Sequence, residues 1–332
     1  MKTRHPLFKS TAAVAFGAAM LFSPAAANAQ EKLLFAEADT VGSLLNLTNI
    51  MFAELVSERS GGALALNHVQ GSQLGNDTQV IEQMIEGSVD IYGDVLGWYA
   101  KWEDDFNILN WGFTFDDADH MQKFIESELF AEIAGRLRES NNIHILAAAP
   151  TEARVLFAKP VVSTPDDLVG VKMRVPGIQT YVLLWETLGA SPARVAWAEV
   201  FLGLKTGTIE AAEGPPNPAY AQKFHQGTGN VMLTNHVQST MQLSMNAERF
   251  DSLSPEMQKI LTEAAQESVA WARAEADRGT GEILAKMEAE GATIHEVDVA
   301  PFAAKAEAGV NTMEADGVWS TGLWQKIRSM ND

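Results

Sequence analysis

The sequence predicts an α/β fold of two lobes, and three observations carry that prediction. Strand-like and helix-like segments alternate along most of the chain, the pattern of a largely parallel sheet. The 332 residues, less an N-terminal leader, are of the size at which one hydrophobic core usually divides into two. A single helical stretch of some 35 residues, opening at Ser254-Pro255 and stopping at Gly291, would span about 50 Å. That is too long for one small lobe, so the helix is expected to bridge two.

The first 29 residues read as an export address. Lys2, Arg4 and Lys9 form a basic start, residues 12–22 an apolar run, and Ala27-Asn28-Ala29 a small-residue cleavage site. After it, residues 32–36 read as a strand and residues 43–60 as a helix capped by Ser43 and closed by Gly61-Gly62. Residues 63–69 alternate as a second strand. Asp77 can cap a helix with Val80, Ile81, Met84 and Ile85 on one face, and residues 89–92 make a third strand. An aromatic-rich loop leads to one helix over residues 118–140. In the second half, strands are expected at 143–148, 154–158, 171–175 and 209–212, with helices at 179–188 and 198–206. The run Glu213-Gly214-Pro215-Pro216-Asn217-Pro218 reads as a rigid loop. A last strand is expected at 292–297.

Composition removes several classes of function. The formal charge is −19 and becomes −22 once the three leader cations are gone. That disfavours nucleic acid and anionic membrane surfaces as partners. There is no cysteine, hence no disulfide, no thiolate metal site and no lipid-bearing cysteine. No segment after the leader approaches the roughly 20 apolar residues that span a bilayer. Enzyme signatures are equally scarce: no G-x-S-x-G, H-E-x-x-H, P-loop or G-x-G-x-x-G occurs. The histidines are scattered without ligand spacing, so neither a metal nor a cofactor is expected, and the chain is not read as an enzyme.

One stretch stands out chemically, residues 163–177, STPDDLVGVKMRVPG. Thr164, Pro165, Asp166 and Asp167 open a short helical turn and Gly170 stops it. The strand that follows puts Val171, Met173 and Val175 on one face, with Lys172 and Arg174 on the other. A guanidinium at the carboxyl end of a strand stands where an open α/β sheet receives an anion. From pattern alone, a solvated strand-end arginine is the plainer reading.

The order of several short elements resembles the DctP-type solute-binding proteins of tripartite ATP-independent periplasmic (TRAP) transporters. These are Gly71-Ser72-Gln73-Leu74-Gly75; Arg154 with Lys159-Pro160; Pro165-Asp166-Asp167-Leu168, Gly170, Lys172 and Arg174-Val175-Pro176; Leu188-Gly189-Ala190-Ser191-Pro192; Glu199-Val200, Gly207, Glu213; and Thr234-Asn235-His236. The resemblance implies a clamshell closing on a small organic anion such as a sugar acid, keto acid or dicarboxylate. It implies a signal peptide at 1–29, one lobe from 30–151 plus 240–279 and the other from 152–239 plus 280–332. Hinge crossings would fall near 152, 240 and 280. The implied partners are the small and large integral membrane subunits of a permease, and the implied place is the periplasm, as a monomer.

By the same resemblance Arg174 holds the ligand's carboxylate with both arms of its fork. Arg154 is a second arginine of the site or, alternatively, a structural ion pair with Glu152 or Asp167. Members that bind through an asparagine after the equivalent of Glu213 have Gly214 here, which would leave a backbone N–H and space, with Asn217 nearby to compensate. Trp197 and Trp98 stand at aromatic positions of the ligand wall or in core packing. Asp77 reaches the ligand or caps its helix, Met241 lies near the hinge, and Glu37 and Asp39 face cleft or water. Two other outputs stay open: an exported clamshell enzyme acting on a carboxylated substrate, and a receptor that presents its ligand to a membrane sensor.

Overall fold

The structure is a computed structural model that describes residues 1–2 and 30–331; the expected leader lies outside the described residues. The chain opens with β1 (Glu31–Ala36), α1 (Leu44–Arg59), β2 (Leu64–Val69), α2 (Asp77–Ile85) and β3 (Ile91–Asp94). Two 3₁₀ turns carry the aromatic loop, and then come α3 (Ala118–Ile125), α4 (Glu128–Asn141) and the long strand β4 (Ile143–Ala158). The expected single helix over 118–140 is therefore two. Ser127 interrupts it, its hydroxyl capping the Phe130 N–H and starting α4 afresh.

The second half contains β5 (Lys172–Val175), α5 (Gln179–Leu188), β6 (Ser191–Arg194), α6 (Val200–Thr206) and β7 (Ala211–Gly214). It continues through α7 (Pro216–Ala221), α8 (Phe224–Thr228), the 17-residue β8 (Asn230–Asn246) and α9 (Ala247–Asp251). The chain ends with α10 (Pro255–Ala289), β9 (Thr293–Glu296), α11 (Ala300–Ala315) and α12 (Leu323–Arg328). Part of the expected loop 213–218 is thus regular. Glu213 and Gly214 finish β7, and Pro216 takes the first position of α7, where its missing N–H costs nothing.

All nine strands join one sheet in the order β2-β1-β3-β8-β4-β7-β5-β6, with β9 beside β8. Parallel pairing holds at both ends, β1 with β2 and β3, β5 with β6 and β7. Antiparallel β4 and β8 run through the middle. The separate strands expected at 143–148 and 154–158 are one, and β8 has no counterpart in the sequence reading. Residues 143–150 of β4 pair with 240–246 beside β3, and residues 153–158 pair with 230–238 beside β7, with register slips between Pro150 and Ala153 and between Arg154 and Leu156. One ladder therefore carries both lobes.

Helix α10 begins at the Ser254 cap with Pro255 at its first position, as the sequence requires. Leu261, Ala265, Val269 and Ala272 join a core with Phe35, Phe52 and Leu243, while Ile283 and Met287 join a different core with Phe157, Leu204 and Phe224. The bridging expected from its length is observed as packing. On the opposite face α11 and α12 close over Trp111 and Trp185, and the Trp111 indole donates to the Ala306 carbonyl at 3.2 Å. Among the described residues no helix is long and apolar enough to cross a membrane.

Candidate functional site

The carboxyl ends of β1, β3 and β5 and the proline turn after β7 converge on one cavity. Its walls include Asp39, Asp77, Asp94 and Trp98 from the β1–β3 side, and Arg154, Arg174, Tyr181, Trp197 and Pro215 from the other. The space between its walls, open mouth included, is about 560 Å³, within the 300–1,000 Å³ typical of small-molecule sites. A single small molecule fits it; a peptide does not.

Arg174 is 2% exposed. Strand β5 carries it inward while Lys172, two residues earlier on the same face, stays exposed. Its Nε donates to the Val195 carbonyl at 2.9 Å, which fixes the plane of the guanidinium. Nη1 is buried and without a hydrogen-bond partner, and its nearest carboxylate oxygen, Glu213 Oε1, is 4.0 Å away. The Trp197 ring covers the guanidinium carbon at 5.3 Å. Burial lowers this arginine from its ordinary value to about 10. A buried cation with an unused donor is costly unless an anion arrives.

Arg154 differs. Its Nε and Nη2 grip both oxygens of Glu213, with Nη2 to Oε1 at 2.6 Å, and it lies 5.3 Å from the Tyr181 ring. Its partner is thus Glu213 on the paired strand β7, and neither Glu152 nor Asp167. Glu152 is buried elsewhere with one oxygen unpartnered, and burial lifts its carboxyl to about 7. Asp167 is exposed and caps the Thr164 turn. Burial would raise the Glu213 carboxyl, but the Arg154 charge and hydrogen bonds from His236 and Arg154 outweigh it and hold it at about 2. Two arginines share one carboxylate, so the group carries a net positive charge.

The facing wall is acidic. The N-cap of α2 is Asn76, in a capping box with Gln79, and Asp77 is free of the expected capping role. The Asp77 carboxylate lines the cavity and accepts from the Tyr92 hydroxyl at 2.9 Å. Asp39 accepts from Ser43 Oγ at 2.7 Å and from the Thr40 N–H, and Asp94 accepts from the Val95 N–H. Burial raises all three, Asp39 to about 7, and the neighbouring carboxylates add to the effect at Asp39 and Asp94. Glu37 does not reach the cavity; it is buried behind it and takes hydrogen bonds from Asn46 and Asn49.

The remaining candidates fall out as follows. Trp98 and Trp197 both line the cavity. The space expected beside Gly214 is filled, because a Cβ there would lie 3.1 Å from the Trp197 ring. Asn217 does not point at the cavity: its Oδ1 accepts the Leu44 N–H at 2.8 Å across the cleft. Met241 is fully buried in the core with Leu33, Phe35 and Leu243, since the pleat of β8 turns it away from the cleft. Sequence reasoning missed Tyr181 and Asp94. Asp94, at the carboxyl end of a parallel strand, was the recoverable one.

A two-lobed α/β protein with a cationic fork buried between its lobes, and among the described residues no cluster of three or more His, Cys, Asp or Glu side chains that could hold a metal, has the form of a solute receptor. The chain belongs to the DctP-type family, bacterial extracellular solute-binding proteins of family 7, whose model matches residues 35–316. It is 30% identical to a solute-binding protein of Roseobacter denitrificans over 310 residues, 91% of this chain and 92% of that one. It is 32% identical to the 2,3-diketo-L-gulonate-binding periplasmic protein of Escherichia coli over 65% of this chain and 66% of that one. A crystal structure of a TRAP periplasmic solute-binding protein from Roseobacter denitrificans with bound β-D-glucuronate superposes with a TM-score of 0.84. It is 28% identical and covers 90% of this chain and 99% of that one.

Proposed function

We propose that this receptor captures a single-ring sugar acid, or an open-chain acid of similar size and hydroxylation, in the periplasm. It then hands the ligand to the membrane subunits of a TRAP permease. The observation that carries the proposal is the buried, unpartnered Nη1 of Arg174 in the wall of the cavity. A carboxylate satisfies it with charge-assisted bonds. The opposite wall then chooses among carboxylates. Asp39, Asp77 and Asp94 offer carboxyl oxygens that accept from ligand hydroxyl groups. Trp98 and Trp197 offer flat apolar faces to a ring. A solved neighbour with bound glucuronate and a diketogulonate-binding relative support a sugar acid.

Motion follows from the ladder. The register slip opposite residues 238–240 and the middle of α10 are the places where the lobes pivot, with residues 30–151 and 240–279 on one side and 152–239 and 280–332 on the other. Nothing in the cavity requires turnover, so the output is delivery rather than catalysis. Export by the leader and a monomeric state complete the reading.

The test is calorimetric titration of the mature, ligand-stripped chain with D-glucuronate, L-galactonate and succinate. The sugar acids should bind and succinate should not. Arg174→Ala should weaken binding by 2–5 kcal/mol with an unchanged circular dichroism spectrum. Full affinity in that variant would sink the site.

A further inference from the structure

A second chamber adjoins the first. It shares Asp77, Trp98, Arg174 and Trp197 with the inner cavity. Its own walls mix polar and apolar groups, Asn76, Gln79 and Arg194 beside Val195 and Ala196. The shared side chains are therefore the boundary, and of these Trp197 has the most to fix its place. Its indole Nε1 donates to Thr40 Oγ1 at 3.0 Å across the cleft, its carbonyl accepts from Gln222, and its ring packs 4.7 Å from that of Phe224.

Gly214 forms the seat under the ring. Its φ is not in the left-handed region, so the backbone does not demand glycine there. The ring demands it: a Cβ at this position would stand 3.1 Å from Cη2 and 3.3 Å from Cζ3 of Trp197. Contacts that short force a neighbour to move. The ring must then give by a few tenths of an ångström, and the second chamber, which it also lines, is open to it.

We infer that Trp197, seated on Gly214 and tied to Thr40, is a partition that limits the receptor to acids of one ring, and that displacing it joins the two chambers into a site for a two-ring uronic acid. The inference rests on the sugar-acid reading for the identity of its ligands. The geometry of the partition is independent of it.

The experiment compares D-glucuronate with an aldobiuronic acid, a disaccharide ending in a uronate, by calorimetry. The wild type should prefer the single ring by about 100-fold or more, within the range that shape exclusion achieves. Trp197→Ala should narrow that preference to about tenfold or less, chiefly by gaining affinity for the disaccharide. Gly214→Ala should move the ratio in the same direction by less. A wild type that takes both acids equally, or a Trp197→Ala that weakens both by the same factor, would overturn the partition. If neither acid binds the wild type, the ligand reading fails, and the partition is judged by ¹⁹F spectra of 5-fluorotryptophan protein. Among the eight tryptophans, the line lost in Trp197→Phe should shift in both Gly214→Ala and Thr40→Val. An unmoved line would overturn the seat.

Discussion

The two walls of the cleft handle buried charge in opposite ways. On the β5–β7 side, Arg154, Arg174 and Glu213 form a group in which each charge faces an opposite one, and the excess cation is the unpartnered arm of Arg174. On the β1–β3 side, Asp39, Asp77 and Asp94 are buried with hydroxyl and backbone donors but no cation within hydrogen-bond reach. Burial accordingly drives those carboxyls up, while Arg154 drives Glu213 down. One wall keeps a fixed charge ready for a carboxylate. The other keeps protonatable acceptors, which suit hydroxyls. A polyhydroxy acid is the ligand that has one end for each.

The comparison can be broken most directly at Glu213. Glu213→Gln keeps the shape and leaves two buried guanidinium groups without a counterion. Removing one member of such a pair costs about 3–5 kcal/mol, which urea unfolding would register. A loss under about 1 kcal/mol would mean that the arginines are compensated elsewhere.

The acidic wall should reveal itself in the pH dependence of stability. Asp39 and Glu152 are raised to about 7 in the fold, so the native state holds more protons than the unfolded chain between about pH 4 and 7. Their contribution is complete below the ordinary carboxylate pKa and declines as pH rises through 7. Glu213, held at about 2, works the other way, stabilising above its ordinary value and losing that contribution as pH falls toward 2. Urea midpoints from pH 4.5 to 8 should therefore fall for the wild type and fall less for Asp39→Asn. Equal slopes would show that Asp39 is ionised in the fold.

The smallest effect expected is at the contact that joins the walls. Asn217 accepts the Leu44 N–H across the cleft, and a lost hydrogen bond of this kind costs about 1 kcal/mol. In Asn217→Ala the closed form should weaken by that amount, raising the ligand release rate about fivefold in stopped-flow measurements and leaving unfolding of the free protein unchanged. An unaltered release rate would mean the contact does not hold the lobes shut.

Sequence by itself determined the α/β class, the bridging helix and the placing of Arg174 at a strand end. Each of these is written locally: Ser254-Pro255 and Gly291 bound α10, Ser43 caps α1, and Pro176 ends the strand that presents Arg174. It did not determine β8, the continuity of β4 past Pro150, the pairing of Arg154 with Glu213, or the burial of Met241. β4 and β8 are held by each other, residue against residue over 72 or more positions of separation, and such pairing leaves no local periodic mark. Asp77 and Gly214 make the same point at the site. Asn76 took the cap that Asp77 was expected to fill, and a ring 17 positions away filled the space that Gly214 was expected to leave. Short-range chemistry is legible along a chain. Which distant side chains share a buried volume is decided only when the chain closes on itself, because burial, and with it each charge's partner and proton, is a property of the packed whole.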